Sequence, residues 1–179
     1  FNQHIQTWDV SKVTDMRAMF YRAENFNKTL NRWNRQDTGD ESTTANVINM
    51  QRMFFQARSF NNGSRTKLNF NVTNVLYFQE MFKEAEAFNK DISEWALRSD
   101  KTSFPKMDKF LEQANNFNQD LSSWNVEKIE AEPDKFATTA GSDYKEPCWG
   151  FNGCSSEELM PKLISYSPMG INNISPNDP

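Results

Sequence analysis

The chain has 179 residues, with 20 Lys plus Arg against 24 Asp plus Glu and a formal net charge of −4. That length fits one domain or a piece of a longer array, and the mildly acidic balance lacks the basic stripe that nucleic acid demands. Only 37% of the residues are hydrophobic, but 15 are Phe, so the core is aromatic; no apolar run could span a bilayer, and one His and two Cys leave little for catalysis or metal.

From the N-terminus, no leader segment is visible, and a start at Phe1 rather than Met is expected of a processed or trimmed piece. Phe1-Asn2 is followed by Ile5, Trp8 and Val10, read as inward positions of an irregular stretch. Lys12-Val13-Thr14 reads as a short strand with Val13 inward. Asp15 stands at an N-cap position, and Met16, Met19, Phe20 and Ala23 follow at i, i+3, i+4 and i+7. That stripe predicts a helix of two turns.

The same string then recurs. Phe-Asn opens copies at 1, 26, 60, 88, 117 and 151, at spacings of 25, 34, 28, 29 and 34 residues, while a seventh Phe-Asn, at 70, plays another role. Between copies the columns align: Val13, Val47, Val75, Phe104 and Ile129, then Met16, Met50, Phe78 and Met107. Met19, Met53, Met81 and Phe110 come next, followed by Phe20, Phe54, Phe82 and Leu111, and by Ala23, Ala57, Ala85 and Ala114. The unit is about 25 residues long; polar insertions such as residues 35–43 account for the longer spacings and are expected in surface loops. A two-turn helix is unstable alone, so the copies must stack. The expected fold is therefore an α/β repeat, a solenoid with short parallel strands on one face, short helices on the other and a C-terminal cap. Asn27, Asn61, Asn89 and Asn118 are expected to form a ladder that satisfies backbone groups of the adjacent coil. The expected organisation is four to five coils over 1–126, a degenerate coil and cap over 127–164, and an extended tail over 165–179.

The run Phe-Asn-x-x-(Ile/Leu)-x-x-Trp-(Asp/Asn)-Val, followed by Val-x-x-Met-x-x-Met-Phe-x-x-Ala-x-x-Phe-Asn, resembles the BspA-like surface-protein repeat, a leucine-rich-repeat-like unit known from mycoplasma and from algal and protist surface proteins. The closest copies begin at Phe1 and Phe117, and the match reaches residue 126. The resemblance implies a surface or secreted location and a role in adhesion or assembly, and it brings no catalytic residues.

In the tail, Cys148 and Cys154 flank a Gly-containing loop and are expected to form a disulfide, with free thiols or a two-ligand metal site as alternatives. Residues 155–164 read as a short helix. The sequons at Asn62 and Asn71 are candidate glycan sites, Asn27 being assigned to the ladder. No constellation for catalysis stands out: His4 is expected at the surface, and the acidic loop with Asp37, Asp40 and Glu41 is expected to be solvated. No cofactor is expected. The binding candidates are the outward positions beside the Val column: Thr14, Asp15, Ile48, Asn49, Leu76, Tyr77 and Lys106. An exposed Ile48, Leu76 and Tyr77 would suit a protein partner or a neighbouring copy in a surface assembly. The expected function is that of a non-enzymatic extracellular interaction module. The alternatives are a carbohydrate-binding adhesin and a structural subunit of a filament or coat.

Overall fold

The computed structural model describes residues 1–34, 43–98 and 103–150. Its backbone corrects the expected α/β architecture. Among the described residues there is no α-helix and no strand; the regular elements are one short 3-10 helix, Asn31–Asn34, and isolated parallel backbone bridges. The repeats do stack, but by a different device.

In place of the helix, each Met-x-x-Met-Phe-x-x-Ala segment is a ribbon of consecutive tight turns. In the first ribbon the N–H groups of Met19, Tyr21 and Ala23 donate to the carbonyls of Met16, Ala18 and Phe20, three residues back. The alternate N–H groups leave the coil altogether. Met16, Ala18, Phe20 and Arg22 donate to the carbonyls of Asn49, Gln51, Met53 and Phe55 in the next coil, at 2.7–2.9 Å. Met50, Arg52, Phe54 and Gln56 do the same to Tyr77, Gln79, Met81 and Lys83. The ribbon over 78–84 repeats this toward Lys106, Asp108, Phe110 and Glu112, and Lys109, Leu111 and Gln113 reach Asp134, Phe136 and Thr138. Residues 133–139 are thus a fifth ribbon, with Phe136 fully buried.

This geometry requires left-handed backbone twice per ribbon. Ala18 and Arg22, Arg52 and Gln56, Glu80 and Glu84, Lys109 and Gln113, and Lys135 and Thr139 all have φ between 50° and 65°. Each such non-Gly residue costs about 1–2 kcal/mol. Inter-coil hydrogen bonds and the ring stacks beneath them offset that cost, and neither would form in an isolated unit. The apolar spacing i, i+3, i+4, i+7 fits both a helix and a chain of three-residue turns. What separates them is where every second N–H goes, and a single repeat does not reveal that.

Turn-opening side chains act accordingly. Asp15 and Asn49 do not cap helices; their Oδ1 atoms accept the N–H groups of Arg17 and Gln51, two residues on, at 2.8 and 2.9 Å. This is the Asx-turn alternative to a helix start.

The core is one cluster of ring columns. Phe26, Phe60, Phe88 and Phe117 stack at 5.7–5.9 Å between coils. Phe20, Phe54 and Phe82 stack beside them at 5.2 and 5.4 Å. Trp33, Phe70, Trp95 and Trp124 form a third column at 6.2–6.4 Å. Each indole in it is also anchored: Trp33, Trp95 and Trp124 Nε1 donate to the carbonyls of Ile5, Leu68 and Ile92. Two inward expectations fail at the first coil, where Trp8 is 51% and Met19 38% exposed because no described coil covers them. A third fails at Phe104, which is 37% exposed while Pro105 takes the buried place.

The asparagine ladder is present. The N–H groups of Asn27, Asn61, Asn89 and Asn118 donate to Oδ1 of Asn2, Asn27, Asn61 and Asn89 at 2.9–3.0 Å, and Asp143 continues it onto Asn118. Beyond the fifth ribbon, Trp149 meets Phe136 edge-on at 4.9 Å. Gly150 lets the chain pass the Glu130 carbonyl, which would lie 2.8 Å from a Cβ there.

Candidate functional site

The bridges align the outward row as the columns require. Asp15 pairs with Asn49, Asn49 with Tyr77 and Tyr77 with Lys106, all parallel. The Ile48 N–H donates to Thr14, Leu76 to Ile48 and Lys106 to Leu76, at 2.8–2.9 Å. All seven candidate binding residues therefore share one face. Ile48 is 43% exposed; Thr14, Asp15 and Lys106 are exposed, and Asn49, Leu76 and Tyr77 half-buried. The Lys106 ammonium lies 5.5 Å from the Tyr77 ring centroid. Because Asp15 and Asn49 are turned back onto their own backbone, the row offers a partner mainly Ile48, Leu76, Tyr77 and Lys106.

The other candidates scatter. Asn62 is fully buried; its Oδ1 accepts the Leu30 N–H, and its Nδ2 donates to Asn31 Oδ1 and the Lys67 carbonyl. A glycan cannot be carried there by the folded chain. Asn71 is half-buried, and its Oδ1 accepts both the N–H and the hydroxyl of Thr73. Asn27, the sequon assigned to the ladder, is exposed, and the sequon at Asn173 lies outside the described residues. Cys148 is disulfide-bonded, while Cys154, Asp37, Asp40, Glu41 and the expected helix over 155–164 lie outside the described residues. His4 is exposed.

One feature escaped the columns: a cleft of about 650 Å³ on the first halves of three successive coils. Asn34, Asn69, Phe70 and Trp95 line it together with Arg32, Arg65 and Lys67. It lies where two copies depart from the pattern, after Trp33 and between Phe60 and Phe70, and those irregularities were its only signal in the sequence. Within it Lys67 binds Glu94 and lies 3.7 Å from Asp91. The hydrogen bond to Glu94 holds the ammonium above its ordinary pKa. Burial pushes Asp91 up, but the Ser93 hydroxyl and N–H, with Lys67, outweigh it and leave the carboxyl below its usual range. Among the described residues no group of three or more His, Cys, Asp or Glu could hold a metal ion. Among them, too, no helix is long and apolar enough to cross a membrane.

No curated protein and no solved structure matches the chain. One family model does, over residues 1–43 and 36–149, a span that takes in all five ribbons and both halves of every described coil. The chain therefore belongs to the family described as Mycoplasma protein of unknown function, DUF285.

Proposed function

We propose that this chain is a non-enzymatic extracellular protein-interaction module for surface assembly or adhesion, built from repeats of the BspA-like kind. The observation that carries the reading is the bridge row, which sets Ile48, Leu76 and Tyr77 in register on one face with Ile48 43% exposed. A stacked-coil scaffold holds such a row rigidly, so a partner loses its own freedom but need not order the site. A disulfide at Cys148 supports an oxidising, extracytoplasmic setting.

The test is affinity purification from the native source with the wild-type chain and with an Ile48→Asp, Tyr77→Asp variant of equal melting temperature. A stoichiometric protein retained by the wild type and lost by the variant is the expected result. Equal retention by both sinks the proposed face. A glycan-binding reading finds its support in the cleft rather than in the exposed aromatics.

A further inference from the structure

The cleft has the size of a small-ligand site, and its lining states what kind of ligand it lacks. Asn34 and Asn69 hold each other across adjacent coils: Asn34 Nδ2 donates to the Asn69 carbonyl at 2.5 Å and Asn69 Nδ2 to the Asn34 carbonyl at 3.3 Å. That reciprocal pairing fixes the orientation of both amides. Both Oδ1 atoms are buried, and among the described residues neither has a donor; Asn34 as a whole is 8% exposed. Most buried side-chain oxygens have a donor; outside the cleft Gln79 Oε1 is another that has none among the described residues. What the pair lacks is a donor without a full charge of its own, and a hydroxyl group is one.

The charges add a second requirement. Arg32 and Arg65 are both exposed on the lining, and among the described residues neither is in an ion pair. Lys67, by contrast, is engaged by Asp91 and Glu94. Among the described lining residues three cations face two carboxylates, one positive charge in excess, on a chain whose net charge is −4. A free guanidinium presents a planar fork that fits a carboxylate. Phe70 and Trp95 close the floor of the cleft but are only 3% and 5% exposed, so they shape it rather than offer a stacking face.

From the two unpaired amide oxygens and the two exposed arginines we infer that the cleft binds an acidic saccharide, its carboxylate on Arg32 and Arg65 and its hydroxyls on the Asn34 and Asn69 oxygens. An acidic peptide would satisfy the arginines but brings few hydroxyls. The site is separate from the bridge row, which lies at the entry to the turn ribbons, so the two readings stand or fall independently.

The experiment is an NMR titration of the 179-residue chain with glucuronate, glucose and sulfate at matched ionic strength. Glucuronate is expected to shift the amides of residues 31–34 and 65–73 and the Trp95 indole saturably. Glucose should bind at least about tenfold more weakly, since one charge-assisted contact is lost. Sulfate should disturb only the surroundings of the two arginines. Arg32→Gln with Arg65→Gln should lower glucuronate affinity about tenfold or more, with thermal melting unchanged because both side chains are exposed. Ile48→Asp should leave it unaltered. The inference is overturned if glucuronate gives no saturable shift at the cleft. Equal behaviour of glucuronate and sulfate, or indifference to the arginine changes, overturns it too.

Discussion

The first coil and the interior coils carry the same residues in the same columns, yet they are different physical objects. Met19 is 38% exposed where Met53 and Met81 are fully buried; Trp8 is 51% exposed where Trp33 is fully buried; Phe1 is 62% exposed where Phe26 is fully buried. Ala23 is half-buried where Ala57 and Ala85 have no exposure. Burial in this chain is therefore a property conferred by coils on both sides, not by the unit's own sequence. Stability follows nearest-neighbour contacts, as in other stacked repeats.

Substitutions can break or sharpen that contrast. The largest expected effect is Phe82→Ala, which empties an interior ring packed 3.9 Å from Phe88 and 5.4 Å from Phe54. It should cost about 3–5 kcal/mol by urea denaturation. Trp8→Ala in the first coil should cost under about 1 kcal/mol, as surface changes do. Equal costs would mean that the first coil is packed in solution, and the contrast would fail.

Next in size is Asn89→Ala. It removes the acceptor of the Asn118 N–H at 3.0 Å and of the Gln119 amide at 2.6 Å. A loss of about 1–3 kcal/mol is expected, with Asn89→Asp losing less because the acceptor remains. If the two variants melt alike, the ladder is not a source of stability.

Gln113→Gly tests the turn ribbon against the helix. Gln113 is exposed with φ of 60°. In a helix this change destabilises by about 1 kcal/mol; in the ribbon, where Gly is free of the left-handed penalty, stability should rise by up to about 1 kcal/mol. A lowered melting temperature would argue for the helix after all.

The smallest effect is electrostatic. Hydrogen bonds from Lys145 and then Ser122 hold the Asp120 carboxyl down at about 2. A depressed folded pKa gives stability that is present above the unfolded value and is lost as pH falls through about 2. The Lys145 and Asp120 side chains are 69% and 48% exposed, so water screens the pair and well under about 1 kcal/mol is at stake. Asp120→Asn should flatten the decline in melting temperature between pH 4 and pH 2; an unchanged profile would assign the acid response to other groups.

The repeat, its core columns and the ladder were legible in the sequence because each is a recurrence, and recurrence survives without knowing the backbone. The outward row was legible for the same reason: once Val47 and Val75 are inward, Ile48 and Leu76 must face away. The secondary structure was not legible. Met50, Met53, Phe54 and Ala57 fit a helix by spacing, and nothing in one copy says that the Arg52 and Gln56 N–H groups go to the neighbouring coil. Trp8 and Met19 were misplaced because a column does not announce which of its members have a described coil on both sides. The cleft was hidden because it arises where copies depart from the pattern, and alignment by recurrence discards such departures.

The direction of the inter-coil hydrogen bonds has an electrical consequence. In the first four ribbons the alternate N–H groups point toward the following coil and meet carbonyls that point back, whereas at the bridge row the N–H groups of Ile48, Leu76 and Lys106 run the other way. Peptide dipoles aligned as in the ribbons add, so the ribbon face carries a lengthwise polarity with its negative pole at the first ribbon and its positive pole at the fifth. Along the ribbon face, the first and fifth ribbons thus present opposite fields.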